Sequence, residues 1–142
     1  MNEKIAVILS IIGGIAGWLF GGLDELLNIF ITVLVVDTVT GMVKNYYFGT
    51  YASSLFRRGL IKKSGYMLAV ILAVCLDRMT GQTGVLRSSL LVLFVTNEAT
   101  SIVENLGEMG VPIPERVKNA IAILKKKNKD SDEEEAKDDC QK

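Results

Sequence analysis

Nineteen successive residues, Ile5 to Leu23, carry no charge and are mostly apolar: IAVILSIIGGIAGWLFGGL. As a helix, such a run spans about 28 Å, close to the ~30 Å of hydrocarbon in a bilayer. Three further apolar stretches follow: Leu26–Val43, Ser64–Leu76, and a segment beginning near Val85. Apolar residues make up 49% of the 142, a high share for a soluble domain that also carries a charged tail. The uncharged windows decide the class, and lipid is the expected solvent for most of this chain.

Removal of the first run as a signal peptide is disfavoured. Cleavage at Gly21 or Gly22 would put Leu19 or Phe20 at the −3 position, where a small residue is wanted. The sequence therefore predicts an all-α, polytopic membrane protein with four spans. Three is the alternative, should the first helix lie flat or be removed. Residues 1–110 form the membrane domain, 111–127 a juxtamembrane amphipathic helix, and 128–142 a disordered charged tail.

Orientation follows from a basic block. Lys44, Arg57, Arg58, Lys62 and Lys63 fall between the second and third apolar stretches, with no acidic residue from Thr38 to Leu76. Asn45–Lys63 reads as a loop, with Ser53 or Ser54 capping a short helix within it. A short cationic loop stays on the cytoplasmic side, and only Arg78 and Arg87 oppose that arrangement. Four spans then place both termini inside.

Gly13, Gly17 and Gly21 recur every four residues and predict a small-xxx-small seam for close helix packing, with the partner left open. Asp37, Thr40, Gly41 and Lys44 share one face of the second helix. A charge within a span must find water or a partner, so Asp37 faces other helices or a wet cavity. Helix packing and a pore or gating role weigh equally for it. The third span is expected to continue past Asp77 and Arg78, which neutralise each other near the outer interface.

The last span, about Val85 to Glu108, begins apolar and becomes amphipathic. Val92, Val95, Ala99, Ile102, Val103 and Leu106 lie on one side, Asn97, Ser101, Glu104 and Glu108 on the other, and Glu98 at the flank. Glu104 and Glu108 read as ordinary surface; Glu98 stays open between packing and a pore-lining role. Pro114 suits the first turn of a new helix, in which Val117, Ala120, Ile121 and Leu124 keep helical spacing. That helix fits the inner membrane face or the protein's own loops equally well. Asp130, Asp132, Glu133, Glu134, Glu135, Asp138 and Asp139 make the end of the chain a solvating tail.

The sequence has no histidine, which removes imidazole bases and zinc sites built on imidazole. Cys75 lies in an apolar run and Cys140 in the tail, so neither a disulfide framework nor a CxxC motif is formed. No nucleophile–base pair, metal cluster or phosphate loop is visible, and no catalytic, cofactor or metal residues are expected. The cations crowd against membrane segments without a nucleic-acid motif, so no nucleic acid partner is expected.

Several elements in fixed order carry a family resemblance. They are Asp37-Thr-Val-Thr-Gly41 with Lys44, Ser53-Ser54, Arg58-Gly59, Lys62-Lys63, Asp77, Asn97-Glu98-Ala-Thr-Ser101-Ile-Val-Glu104-Asn105, and Gly110-Val-Pro112-Ile-Pro114. Over about residues 26 to 125 the chain resembles the toxin-secretion and phage-lysis holins, a family that includes holins of clostridial toxin loci. The resemblance implies a small phage-encoded protein of the bacterial cytoplasmic membrane. Such a protein assembles with copies of itself into lesions at a programmed time. A cell-wall hydrolase (endolysin), or a toxin, is then released cargo rather than a bound partner, and an antiholin is a possible partner. The family's recurring polar positions match Asp37, Gly41, Lys62, Lys63, Glu98 and Glu104, without assigned roles.

Two other classes compete. A small channel or transporter subunit would also use intramembrane Asp37 and Glu98, but it would favour paired internal repeats and broken helices, which this sequence lacks. An antiholin or membrane scaffold would leave dye-loaded vesicles intact.

Overall fold

The computed structural model describes residues 3–50 and 53–139, and among these the fold is all helix. Five helices follow in order: α1 (Glu3–Leu19), α2 (Glu25–Tyr47), α3 (Ser53–Thr80), α4 (Val85–Glu108) and α5 (Glu115–Asp139).

Glycine and aspartate punctuate them. Gly21 and Gly22, with φ of 75° and 126°, end α1. Asp24 then starts α2, its Oδ1 accepting from the Leu27 N–H at 3.0 Å, which satisfies one of the orphan donors of a first turn. Gly49 (φ 66°), Gly81 (φ 71°) and Gly110 (φ 81°) follow the ends of α2, α3 and α4, as expected of a C-terminal residue in the left-handed region. Pro114 stands one position ahead of α5, its carbonyl accepting from Val117 N at 3.0 Å.

α2, α3 from Phe56 to Thr80, and α4 are long and apolar enough to cross a membrane. α1 is not: its 17 residues rise only about 26 Å. The glycine pair that makes the turn is taken from the end of the nineteen-residue run, so a fourth span of the expected length is not formed. Three such helices, the alternative reading, are what the structure carries.

The basic loop is also much shorter than expected. Asn45–Tyr47 belong to α2, and Arg57, Arg58, Lys62 and Lys63 belong to α3. Beyond Gly49 only Gly59 in SSLFRRGLIKK disfavours a helix, by about 1 kcal/mol, and Arg, Lys and Leu are good helix formers. The chain from Asn128 differs in the same direction: α5 continues to Asp139 instead of ending near Lys127. It contains neither glycine nor proline and is rich in Lys, Glu and Ala. Cys140–Lys142 lie outside the described residues.

The core is narrow. Leu27, Phe30 and Leu34 of α2 meet Val70 of α3 and Leu91 and Phe94 of α4. The Phe30 and Phe94 rings lie 6.2 Å apart, and Tyr66 stacks on Phe94 at 4.1 Å. α4 is central: it packs on α2, α3 and α5, whereas α2 and α3 meet only sparsely. Most other large apolar side chains point outward, among them Ile8, Ile12, Val35, Leu68 and Leu72. An apolar exterior around a thin, close-packed centre suits hydrocarbon as solvent. α1 touches the bundle at its C-terminal end, where the Arg78 guanidinium stacks 4.6 Å from the Trp18 ring.

Candidate functional site

Three helices carry a charge to the same depth. Asp37 lies thirteen residues beyond Asp24, Glu98 thirteen beyond Val85, and Lys63 fourteen before Asp77. At 1.5 Å per residue each is about 20 Å from the end of the bundle at which α2 begins. The side chains converge there. Lys63 Nζ donates to Asp37 Oδ2 at 3.0 Å and also to Glu98 Oε2. Asn105 Nδ2 donates to Asp37 Oδ1 at 3.3 Å. Lys62 Nζ reaches Glu98 Oε1 at 4.0 Å and lies 5.4 Å from the Tyr66 ring centroid.

The layer holds two cations and two anions and is formally neutral. Its centre is buried, with the Glu98 side chain 3% exposed and Lys63 14%. Lys62, at 62%, leads outward. Among the described residues no buried side-chain nitrogen or oxygen lacks a hydrogen-bond partner. That completeness is what makes the charges tolerable, since a lone charge at the middle of a span costs about 2.5–3.5 kcal/mol on insertion scales.

Water has a way in. Asp37, Thr38, Gly41, Met42 and Asn45 of α2, with Phe56, Gly59, Leu60 and Lys63 of α3, line a groove of ≈ 110 Å³. This is room for several waters, each needing about 10–15 Å³ on the same measure. Gly41 and Gly59 bring no side chain to it, and Asn105 Nδ2 lies 3.8 Å from where a Cβ on Gly41 would sit.

A second polar cluster closes the other end. Arg87 holds Asp24 through two hydrogen bonds of 2.8 Å and also donates to the carbonyls of Phe20 and Gly22. The Arg87 guanidinium holds the Asp24 carboxyl down to about 2, against 3.8 for a free one; burial opposes the shift and the Leu27 N–H reinforces it. Asp77 supplies a cap from a neighbouring helix, its two oxygens accepting from Leu86 N and Arg87 N at 3.0 Å each. Gly84, at the cap position of α4, makes no side-chain cap of its own. Asp77 and Arg78 thus do not neutralise each other: Arg78 donates to the Trp18 carbonyl.

The residues singled out in the sequence therefore separate. Asp37, Gly41, Glu98, Lys62 and Lys63 meet in the charged layer or its groove. Asp77 is a cap in the cluster around Arg87. Glu104 is exposed, and Lys44 pairs with Glu108 at 3.1 Å. Arg57 and Arg58 are exposed on the first turns of α3. Gly13 and Gly17 lie on α1, but Gly21 is in the turn beyond it, off the common helical face.

Sequence reasoning missed Lys63 as a bridging ammonium, because a loop was expected there. It also missed Asn105 and the Asp24–Arg87 pair. One signal was available: Arg87, Leu91, Phe94, Glu98 and Asn105 follow helical spacing as one stripe, and all five are buried. Tracing only apolar residues turned that stripe the wrong way.

Comparison with known proteins gives a consistent picture. The model of the bacteriophage holin family matches residues 14–126. An uncharacterized protein of Listeria innocua is 32% identical over 89% of this chain and 90% of its own. An uncharacterized 14.9 kDa protein of Clostridium perfringens is 32% identical over 82% of this chain and 89% of its own. A protein of Bacillus phage phi105 named "Probable holin" is 30% identical over 86% of this chain and 87% of its own. No solved structure matches.

Proposed function

The chain belongs to the bacteriophage holin family, and from that premise we propose that it accumulates in the bacterial cytoplasmic membrane and self-associates into lesions. These lesions let a cytosolic endolysin, or a toxin, leave the cell. The observation that carries this reading is the formally neutral charged layer of Asp37, Lys62, Lys63 and Glu98, set at one depth inside a bundle whose exterior is apolar. A protomer so built is stable in lipid while its charges stay paired. A groove between α2 and α3 already opens toward them, so rearrangement into a water-facing assembly exchanges ion pairs for hydration.

Orientation belongs to the same proposal. Lys44, Arg57, Arg58, Lys62 and Lys63 keep the α2–α3 end inside, and the Asp24–Arg87 end faces out. We assign α1 to the membrane as well, with the N-terminus inside. Its outward Ile5, Ile8, Ile12 and Ile15 need lipid or another copy, and modest thinning of the bilayer accommodates a short helix. Protease protection of an N-terminal epitope in spheroplasts tests this; digestion from outside would place α1 elsewhere.

Induced expression tests the function. A holin causes abrupt lethality and lets a folded cytosolic reporter enzyme escape. Passage of ions or small solutes alone would identify a selective channel, and no leakage at any density a scaffold or antiholin.

A further inference from the structure

α5 folds back along α4. Asn128 Nδ2 donates to Thr96 Oγ1 at 3.4 Å, and Leu124 and Asn128 face Ser89 and Val92 across a groove of ≈ 390 Å³. Thr96 is left 1% exposed. It lies eleven residues from Val85 and twelve from Glu108, at the middle of the span. α5 therefore occupies a depth where hydrocarbon would surround it if the protomer stood alone in a bilayer. Yet Arg116, Lys118, Lys125 and Lys126 are exposed along it. A row of exposed cations does not sit in lipid, and the Lys118–Glu115 pair at 2.7 Å offsets only one of them.

The α4 face beneath it is different. Ser89, Thr96 and Thr100 donate their hydroxyls to the carbonyls of Val85, Val92 and Thr96 at 2.9, 2.7 and 2.8 Å. These donors are satisfied within their own helix, so the face tolerates lipid, and the Thr96 oxygen still accepts from Asn128 when α5 is present. This face fits either solvent; α5 fits only water.

We propose that α5 is a two-position element that lines the aqueous side of the open assembly. It docks on the Ser89–Thr96 face of its own α4 where that face meets water, and it withdraws to the inner aqueous surface while the face meets lipid. The segment from Met109 to Pro114, with Gly110 at φ 81°, is the hinge. The proposal rests on the lesion reading above and adds which helix faces the water.

The test uses the full chain with Cys75→Ser and Cys140→Ser, carrying Thr96→Cys with Asn128→Cys. A second pair, Val92→Cys with Leu124→Cys, covers the case in which the first perturbs folding. Membranes are oxidised before and after the onset of lysis, alkylated, and mapped for the intrachain disulfide. A position minor before opening and dominant after it raises the disulfide about tenfold at onset. A disulfide equally abundant before and after, or absent at both times for both pairs, overturns the proposal. Escape of a folded cytosolic reporter is scored in the same cells. Escape without the rise sinks only the placement of α5; no escape sinks the lesion reading and the placement with it.

Discussion

Asp37 of α2 and Glu98 of α4 are joined through one ammonium, since Lys63 Nζ donates to a carboxylate oxygen of each. Lys63→Met leaves two carboxylates facing each other, Glu98 buried and Asp37 beside the groove. Breaking a buried ion pair in this way costs about 3–5 kcal/mol. Unfolding in mixed micelles followed by circular dichroism will show the loss. The triple variant Asp37→Asn, Lys63→Met, Glu98→Gln recovers most of it, because no buried charge is then left unpaired and Lys62, 62% exposed, is solvated. Equal stability of Lys63→Met and wild type would remove the layer as a structural element.

At the opposite end, the fork of Arg87 matters more than its charge. Arg87→Lys keeps the cation but cannot hold Asp24 with two bonds while also reaching the Phe20 and Gly22 carbonyls. The expected cost is about 1.5–3 kcal/mol, read in the same unfolding assay. No loss would mean the guanidinium geometry is incidental.

Acid titrates the same pair. The Asp24 carboxyl is depressed from 3.8 to about 2. A depressed acid stabilises the folded state fully above its unfolded value, and that contribution disappears as pH falls through the folded value. Stability should therefore decline between about pH 4 and pH 2 in wild type, and less steeply in Asp24→Asn. The side chain is 50% exposed, so the difference stays below about 1 kcal/mol. Parallel acid curves for the two proteins would contradict the assignment.

Asp77 caps α4 from outside that helix. Asp77→Ala removes the acceptors of the Leu86 and Arg87 amides, at about 1–2 kcal/mol by analogy with lost N-caps. Hydrogen exchange at those two amides should accelerate while exchange near Phe94 is unchanged. Retained protection at both amides would show that another group caps the helix.

The glycines of the first segment divide into two kinds. Gly21→Ala puts a side chain at φ 75° and 3.1 Å from Arg87 Cδ and Val74 Cγ2, so the protomer loses about 1–2 kcal/mol from backbone strain alone. Gly13 has nothing within 4 Å of an added Cβ, and Gly13→Leu should leave protomer stability unchanged. If Gly13→Leu nevertheless shifts lysis timing and the crosslinked oligomer ladder, the seam lies between copies. No change in either would dismiss it.

Much of this architecture was legible in the sequence. The bounds of α4, the break at Gly110–Pro114 and the amphipathic start of α5 follow from local signals that tertiary context did not override. So does the need of Asp37 for a partner, because a charge in an apolar run has few solutions. What failed was the reading of cations as loop markers. Helix α3 runs through Lys62 and Lys63, and Lys63 turns inward because Asp37 and Glu98 wait at its depth. No local pattern announces that meeting; only helices of matched length, started at Asp24 and Val85 and ended near Asp77, bring the three together.

α4 alone touches α2, α3 and α5, while α2 and α3 share little contact. The bundle is thus bound like a book, with α4 as the spine and α2 and α3 as two covers. The crease between those covers is the groove lined by Asp37, Gly41, Gly59 and Lys63, so the weakest seam of the bundle opens onto its buried charges.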